Sequence, residues 1–516
     1  MRWIVRILAG VLTLVVLGFG ALALIPAERV AQVAAGEFER ITGRALTIEG
    51  SVRPTFWPVL GVQTGPVTVA NADWSQAGPM LRADSVAIAA DMAALMRGEV
   101  RITALAVKGL ALVLERNAEG VANWQGGAAP SGAEPGAVAP FALDGATITG
   151  GSLRWIDHAT GRDVVLTGIE AEAALPDFDG PATVDARARI DGAPVGLEAR
   201  IDGFAAFVAG RVVPMEARFT AGGSTLTLAG RAGSSPAVAE GRLEADLGDL
   251  AALAALAGAA APALPDGLGA RDRRLTGQVT LAPEGSLHLR GGALQLDGNA
   301  LAVEADLTFP DPRPRLAAQI SAGTITLRGL GGGGGGAASP DDPGWSAAAI
   351  DVSALGAMDA EVSLAAEALD LGLARTGPAR VTMVLDRARA VFETKGIAAY
   401  GGAVAGQFVV NGRGGLSVGG DVTLAGMAME PLLRDLAGWD RLIAAGDLRV
   451  KFLGVGNSMA AIMASLSGDG RLTLGRGEIR GLDLAGMLRT LDTGFVGEGA
   501  RTIFDSVAAS FTMDGG

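Results

Sequence analysis

Cysteine is absent from all 516 residues, so neither a disulfide framework nor a thiolate metal site is available and the fold must hold by burial alone. Histidine occurs only at His158 and His288, far apart and in no metal-ligand spacing such as H-E-x-x-H; both read as surface or turn residues. The three lysines are Lys108, Lys395 and Lys451, and none follows G-x-x-x-x-G, so no Walker loop is present. A basic stripe is lacking too. The formal net charge is −13 and the pI near 4.8, which argues against a phosphate-backbone partner, so no nucleic acid is expected.

Two patterns mimic chemistry without supporting it. Gly415-Leu416-Ser417-Val418-Gly419 matches the nucleophile elbow G-x-S-x-G, but no histidine follows Ser417 to act as base. Gly329 to Gly334 satisfies G-x-G-x-x-G inside a polyglycine run, with no βαβ pattern around it. Asp and Glu are scattered over the polar phase of many alternating segments, as on a solvated sheet face. The expectation is a protein that is not an enzyme, with no cofactor and no metal.

What is present begins with MRWIVRILAGVLTLVVLGFGALALI. The charge-free run from Ile7 to Ile25 covers ~28 Å at ~1.5 Å per residue, about one hydrocarbon core, with Trp3 to Val5 in reserve. A signal-anchor from Trp3 to Ile25 is expected. Arg2 and Arg6 precede it and mixed charges follow it, so the positive-inside bias keeps the N-terminus cytoplasmic. In a bacterium the bulk of the chain is then periplasmic. A cleaved secretory signal is the alternative, because Ala21-Leu22-Ala23 offers small-x-small spacing. Against it, the apolar core exceeds the ~7–15 residues of an ordinary signal and Pro26 follows the cut. Either reading exports the chain.

From Ala45 onward the apolar period is two, which specifies strands with one dry and one wet face. Asn299 to Phe309 is the clearest case: Leu301, Val303, Ala305 and Leu307 in one phase, Glu304 and Asp306 in the other. Gly-rich turns at Arg290-Gly-Gly, Asp297-Gly-Asn and Asn411-Gly-Arg punctuate the runs, so the chain reads as a long antiparallel meander. Helices are expected at Ala27–Ile41, Asp249–Ala261, Pro431–Ile443, Ser458–Leu466 and Leu484–Leu491; in the third, Leu432, Leu433, Leu436 and Trp439 share one side. Gln125–Pro140 and the glycine-rich Gly329–Trp345 carry too little apolar content to pack and read as loops. The organisation expected is an anchor over 1–25, an N-terminal module over 26–125, and a loop over 126–140. An elongated β region over 141–454, with an insertion at 329–345, and a C-terminal segment over 455–516 complete it.

Several strings taken in order resemble the AsmA family of inner-membrane-anchored envelope proteins. They are Ile41-Thr-Gly-Arg-Ala-Leu-Thr-Ile-Glu-Gly50, Val67-Thr-Val-Ala-Asn-Ala-Asp-Trp74, Ala93-Ala-Leu-Met-Arg-Gly-Glu-Val-Arg-Ile102, Gly120-Val-Ala-Asn-Trp124 and Leu143 to Asp157. In the last, Trp155 stands where the family more often has Tyr. Leu466 to Leu484 is similar to the family's C-terminal segment, and the family normally continues with further strands beyond Phe511-Thr-Met-Asp-Gly515, so the resemblance implies an incomplete C-terminal segment.

The resemblance implies a mainly β fold: an N-terminal transmembrane helix, then a long twisted antiparallel sheet curled into an apolar groove, with a few short helices. It also implies a role in holding or conducting phospholipids from the inner toward the outer membrane. Exposing the ~30 methylenes of a diacyl lipid costs on the order of 20 kcal/mol, so such a route needs a continuous dry surface. The partners would be the inner membrane, phospholipids and envelope proteins of the periplasm or outer membrane. The groove-lining residues would be Val86, Ile88, Leu110, Leu112, Leu226, Leu228, Leu287, Leu289, Leu301, Val303, Leu307, Leu448, Val450 and Phe452. The same alternation also suits a filled core in a non-conducting scaffold for outer-membrane protein assembly.

Overall fold

The period-two pattern becomes strands along almost the whole described chain in a computed structural model. The structure describes residues 44–50, 53–55, 60–91, 101–124, 142–256, 264–310, 313–327, 345–483, 487–488 and 496–516, with Gly36 and Glu39. The expected anchor, the Ala27–Ile41 helix apart from Gly36 and Glu39, the 126–140 loop and most of 329–345 lie outside them, as does most of Leu484–Leu491. Among the described residues no helix is long and apolar enough to cross a membrane. The chain divides into one unit of Met1–Pro236 with Ala251–Ala259, and a second of Ala237–Leu250 with Ala260–Gly516.

The first unit begins as two short antiparallel arms. One is β1 (Leu46–Ile48), β4 (Val67–Val69), β5 (Leu81–Ala83) and β8 (Ala111–Arg116), paired in that order. The other is β2 (Arg53–Thr55), β3 (Leu60–Gln63), β6 (Ser85–Ala90) and β7 (Arg101–Lys108). Both arms join one long strand, β9 (Ala142–Asp157): β7 lies parallel to its first half and β8 parallel to its second. Gly150, with φ +66°, sits where β9 passes from one arm to the other, and its N–H donates to the Glu170 carboxylate. From β9 the chain runs as antiparallel hairpins through β10 (Arg162–Leu175), β11 (Ala182–Ile190), β12 (Ala193–Ile201), β13 (Val213–Ala221) and β14 (Ser224–Ser234). Two short helices, α1 (Phe204–Val208) and α2 (Leu250–Leu256), interrupt the strand sequence; α2 occupies the start of the expected Asp249–Ala261 helix.

The second unit pairs β15 (Ala237–Leu247), β16 (Arg273–Leu281), β17 (Leu287–Leu296), β18 (Asn299–Thr308) and β19 (Arg315–Thr326) antiparallel in order. β19 then lies parallel to β20 (Asp359–Asp370). Antiparallel pairing resumes through β21 (Ala379–Asp386), β22 (Arg389–Ala399), β23 (Gly402–Asn411), β24 (Ser417–Ala428), β26 (Ala445–Val455), β27 (Ser467–Leu474) and β30 (Val507–Met513). β25 (Leu442–Ile443), β28 (Gly477–Leu482) and β29 (Val496–Phe504) make a separate small sheet. β15 and β30 are not paired to each other among the described residues, so the larger sheet of this unit does not close on itself.

Two expectations are corrected. The pairing is mixed rather than wholly antiparallel, and the parallel joins follow the two segments that read as loops, 125–140 before β9 and 329–345 before β20. A hairpin turn can only reverse the chain; parallel neighbours need a crossover of a dozen or more residues, which these segments supply. The helix expected at Pro431–Ile443 is α3 (Met429–Ala437), ended by Gly438 at φ 65° in a left-handed cap. Its apolar positions do not share one fate: Leu432 is buried, whereas Leu436 and Trp439 are exposed beyond the contact. The next helix, α4 (Met459–Ala464), keeps its expected start, with Ser458 Oγ accepting the Ala461 N–H at 3.2 Å.

Burial concentrates in local clusters. α3 lays Met429 and Leu432 on Ala399, Met427, Leu442 and Leu474. A 3₁₀ turn at Ser353–Gly356 brings Leu355 against Ala360, Leu385 and Ala390. A third cluster gathers Leu301, Val303, Ile325 and Ala366.

Candidate functional site

Residues directly opposite on paired strands share a face, so the registers show which side chains the fold collects. In the first unit one row runs Val86, Val107, Ile148, Ala171, Ala186, Leu197, Phe219, Leu226. The adjacent row runs Val62, Ile88, Leu105, Ala146, Ala173, Val184, Ala199, Ala217, Leu228. A third links Leu81, Leu112, Leu153, Leu166 and Ile190. Five of the residues singled out from the sequence, Val86, Ile88, Leu112, Leu226 and Leu228, thus lie on one surface. Leu110 precedes β8 and is in none of these rows; its carbonyl accepts the Ser152 N–H.

The second unit collects its eight candidates in four adjacent rows. Leu287 and Leu307 continue through Leu316, Ala360, Leu385, Ala390 and Val410. Leu289 leads through Ala305, Ala318, Val362, Met383, Phe392, Phe408 and Gly420 to Phe452. Val303 leads through Ile320, Leu364, Val381, Thr394, Gly406 and Val422 to Val450, and Leu301 leads through Ala322, Ala366, Ala379, Ile397, Val404 and Leu424 to Leu448. β-Bulges such as that between Thr394 and Ile397 keep the phase, so no strand turns its polar side inward.

This surface is unevenly covered. Leu301 and Val303 are 8% exposed, whereas Ile88, Val184, Leu197 and Phe408 are 44%, 39%, 41% and 37% exposed. A second layer packed over the rows would bury the large side chains first. Here the covering elements, α3 and the 3₁₀ turn, reach only part of the second unit's rows. In each unit taken by itself, the rows beyond these elements leave large apolar side chains more than a third exposed, as monomeric soluble proteins rarely do.

The opposite face is ionic. Asp421 receives both Arg449 Nε and Nη2, at 3.0 and 2.8 Å, and the Arg449 hydrogen bond holds the Asp421 carboxyl below its ordinary range. His288 Nδ1 meets Asp306 at 2.5 Å, and that bond together with Arg290 lowers the Asp306 carboxyl likewise. No group of three or more His, Asp or Glu is placed to hold a metal ion among the described residues. The sequence reading missed one row on this face: Val384, Val391, Val409, Gly419 and Leu453 are in register across β21 to β26, with Val384 and Leu453 exposed. The signal was valines standing in the polar phase.

The strings that resemble the family's N-terminal motifs build a buried polar knot. Asn123, with no exposed surface, accepts the Glu115 N–H on Oδ1 at 2.9 Å and donates from Nδ2 to Asn71 Oδ1 and the Val113 carbonyl. Glu115, 3% exposed, meets His158 Nε2 at 2.7 Å and accepts from Ser75 Oγ. Arg116 reaches Asp157 at 2.5 Å and holds its carboxyl down at about 2. His158 lies in the turn after β9 with its side chain half exposed, as read from the sequence, and His288 lies within β17; each pairs with a carboxylate.

No curated protein and no solved structure matches the chain. The AsmA family model matches residues 2–247, which take in both arms, the polar knot and β9 to β14, and this N-terminal portion of the chain belongs to the AsmA family.

Proposed function

We propose that the chain is an inner-membrane-anchored periplasmic protein that holds or conducts phospholipids toward the outer membrane, with the apolar rows as the surface that receives acyl chains. One observation carries this reading: large apolar side chains in register that stay more than a third exposed, on sheets that the described residues cover only in part. Family membership and the apolar run from Trp3 to Ile25 point the same way. At ~25 cal/mol per Å² of apolar surface, such a face lowers its free energy by contact with acyl chains rather than water. The reading needs no catalytic group, metal or cofactor, and nothing in it calls for nucleic acid.

The alternative, a non-conducting scaffold for outer-membrane protein assembly, draws on the apolar row from Val384 to Leu453 on the ionic face, which suits a protein partner better than a lipid. Lipid analysis separates the two. The full chain purified from native membrane in mild detergent should carry phospholipid by mass spectrometry, and Leu289→Asp, Phe408→Asp and Val450→Asp should each reduce it. Lipid content equal to that of an unrelated single-span protein, with no change in the variants, would sink the lipid reading.

A further inference from the structure

We infer that the tip of the first unit where the chain enters β1 is a second membrane contact, seating Trp74, Val121 and Trp124 in the headgroup region of a zwitterionic phospholipid bilayer. Three turns converge there: residues 70–80 between β4 and β5, residues 117–124 after β8, and the β9–β10 hairpin. Asn123 Nδ2 joins the first two at 2.9 Å, and Glu115 ties the first to the third through Ser75 and His158.

Burial at this tip is inverted. Ala72, Ala122 and Asn123 lie inside at 4%, 3% and 0% exposure, while Trp74, Val121 and Trp124 stand outside at 37%, 44% and 45%. Burying an asparagine and a glutamate is costly unless every bond is made, and here the bonds are made in order to fix turns whose largest apolar groups face outward. Trp124 is further steadied by Trp155, with ring centroids 5.4 Å apart at 39°. Exposed valine beside two indoles, each with an apolar body and a single N–H donor, matches the headgroup boundary of a bilayer.

The path of the chain selects a bilayer over a protein partner. Arg44 Nη2 donates to the Asn123 carbonyl at 2.9 Å, so the chain arrives at this tip, and only residues 26–43 separate it from the apolar run ending at Ile25. Tethering that close raises the effective concentration of lipid at the tip, so individually weak insertions suffice. Asp73 precedes Trp74 and Glu119 lies two residues before Val121, both exposed, and set against Arg44 and Arg116 they leave the tip without a basic excess, which favours zwitterionic over anionic headgroups.

This inference rests on the reading of Trp3–Ile25 as a membrane anchor, and the test keeps the two apart. Because the chain lacks cysteine, Val121→Cys and Arg187→Cys each accept a single environment-sensitive fluorophore; Arg187 is a control on the ionic face of β11, its side chain 77% exposed. The labelled full chains are reconstituted into phosphatidylcholine/phosphatidylethanolamine vesicles containing a lipid that carries a quencher near its headgroup. The expected result is co-flotation of both chains, with quenching at position 121 several-fold greater than at 187 and reduced by Trp74→Ser with Trp124→Ser. Co-flotation with equal quenching at the two positions overturns the tip contact and leaves the anchor standing. Failure to float, with no quenching, overturns the anchor and the tip contact together.

Discussion

Phe408 and Phe452 lean toward each other across Gly420, with ring centroids 6.3 Å apart although a whole strand, β24, runs between theirs. Upright side chains two strands apart would stand nearly ~10 Å from each other. The missing side chain at 420 closes the gap: a Cβ built there would lie 2.7 Å from Phe452 Cε1, in space the ring occupies. Phe392 is 6.2 Å from Phe408, so three rings form an aromatic stripe along the apolar face.

Gly420→Val should therefore push Phe452 out of its position and cost about 1–3 kcal/mol, the usual range for overpacking. Urea unfolding followed by circular dichroism measures the loss. Combining it with Phe452→Ala should recover part of that cost; a double variant as unstable as the sum of the singles would place the clash in the backbone instead.

Exposure along the apolar rows predicts two kinds of response. Leu301→Ala, at a buried position, should destabilise by about 2–4 kcal/mol. Phe408→Ala, more than a third exposed, should cost less than about 1.5 kcal/mol. Denaturation midpoints of the two variants check the contrast, and equal costs would mean that a layer covers Phe408 in solution.

Asn123→Ala removes three side-chain hydrogen bonds and takes the partner from the buried Glu115 N–H and from the partly buried Val113 carbonyl. A loss of about 2–4 kcal/mol is expected. The emission of Trp124, held by the same turn, should shift to the red at temperatures where the unsubstituted protein is still folded.

Acid should act on the same tip. Arg116 lowers the Asp157 carboxyl from 3.8 to about 2, so its contribution is complete above pH ~3.8 and is lost as pH falls toward 2. Asp297 reinforces the trend in the second unit, where its two oxygens accept backbone N–H groups from Gly267, Gly269, Ala270, Arg271 and Asp272 and hold it far below the ordinary carboxylate range. Unfolding midpoints measured from pH 5 to pH 2 should fall less steeply for Asp157→Asn than for the unsubstituted chain. An unchanged slope would show that the Arg116 pairing is not made in solution.

Much of the apolar face was legible in advance because a strand's side chains alternate whatever its neighbours are. Leu287, Leu289, Leu301, Val303 and Leu307 fall into shared rows, as their phase predicts, and Asp306 falls on the opposite face. Two things were not legible. Trp439 fits a helical face on paper, but Gly438 ends the helix before it, and positive φ at one glycine leaves no periodic trace; Leu436 is on the helix yet exposed, because only the turn of Met429 and Leu432 meets the sheet. The knot around Glu115 and Asn123 draws in Asn71, Ser75 and His158 from separate turns, a proximity that spacing along the chain does not encode.

By itself, the sequence determined that strands dominate and which side chain of each faces the dry side, since period two follows from backbone geometry alone. Only the tertiary structure decided how those faces combine. The parallel joins at β9 and β20 depend on where long connections return the chain, and the exposure of Phe408, Leu197 and Ile88 depends on how far the covering elements reach. Pairing and coverage are non-local: each is settled by the free energy of bringing distant segments together, a term that no local pattern contains.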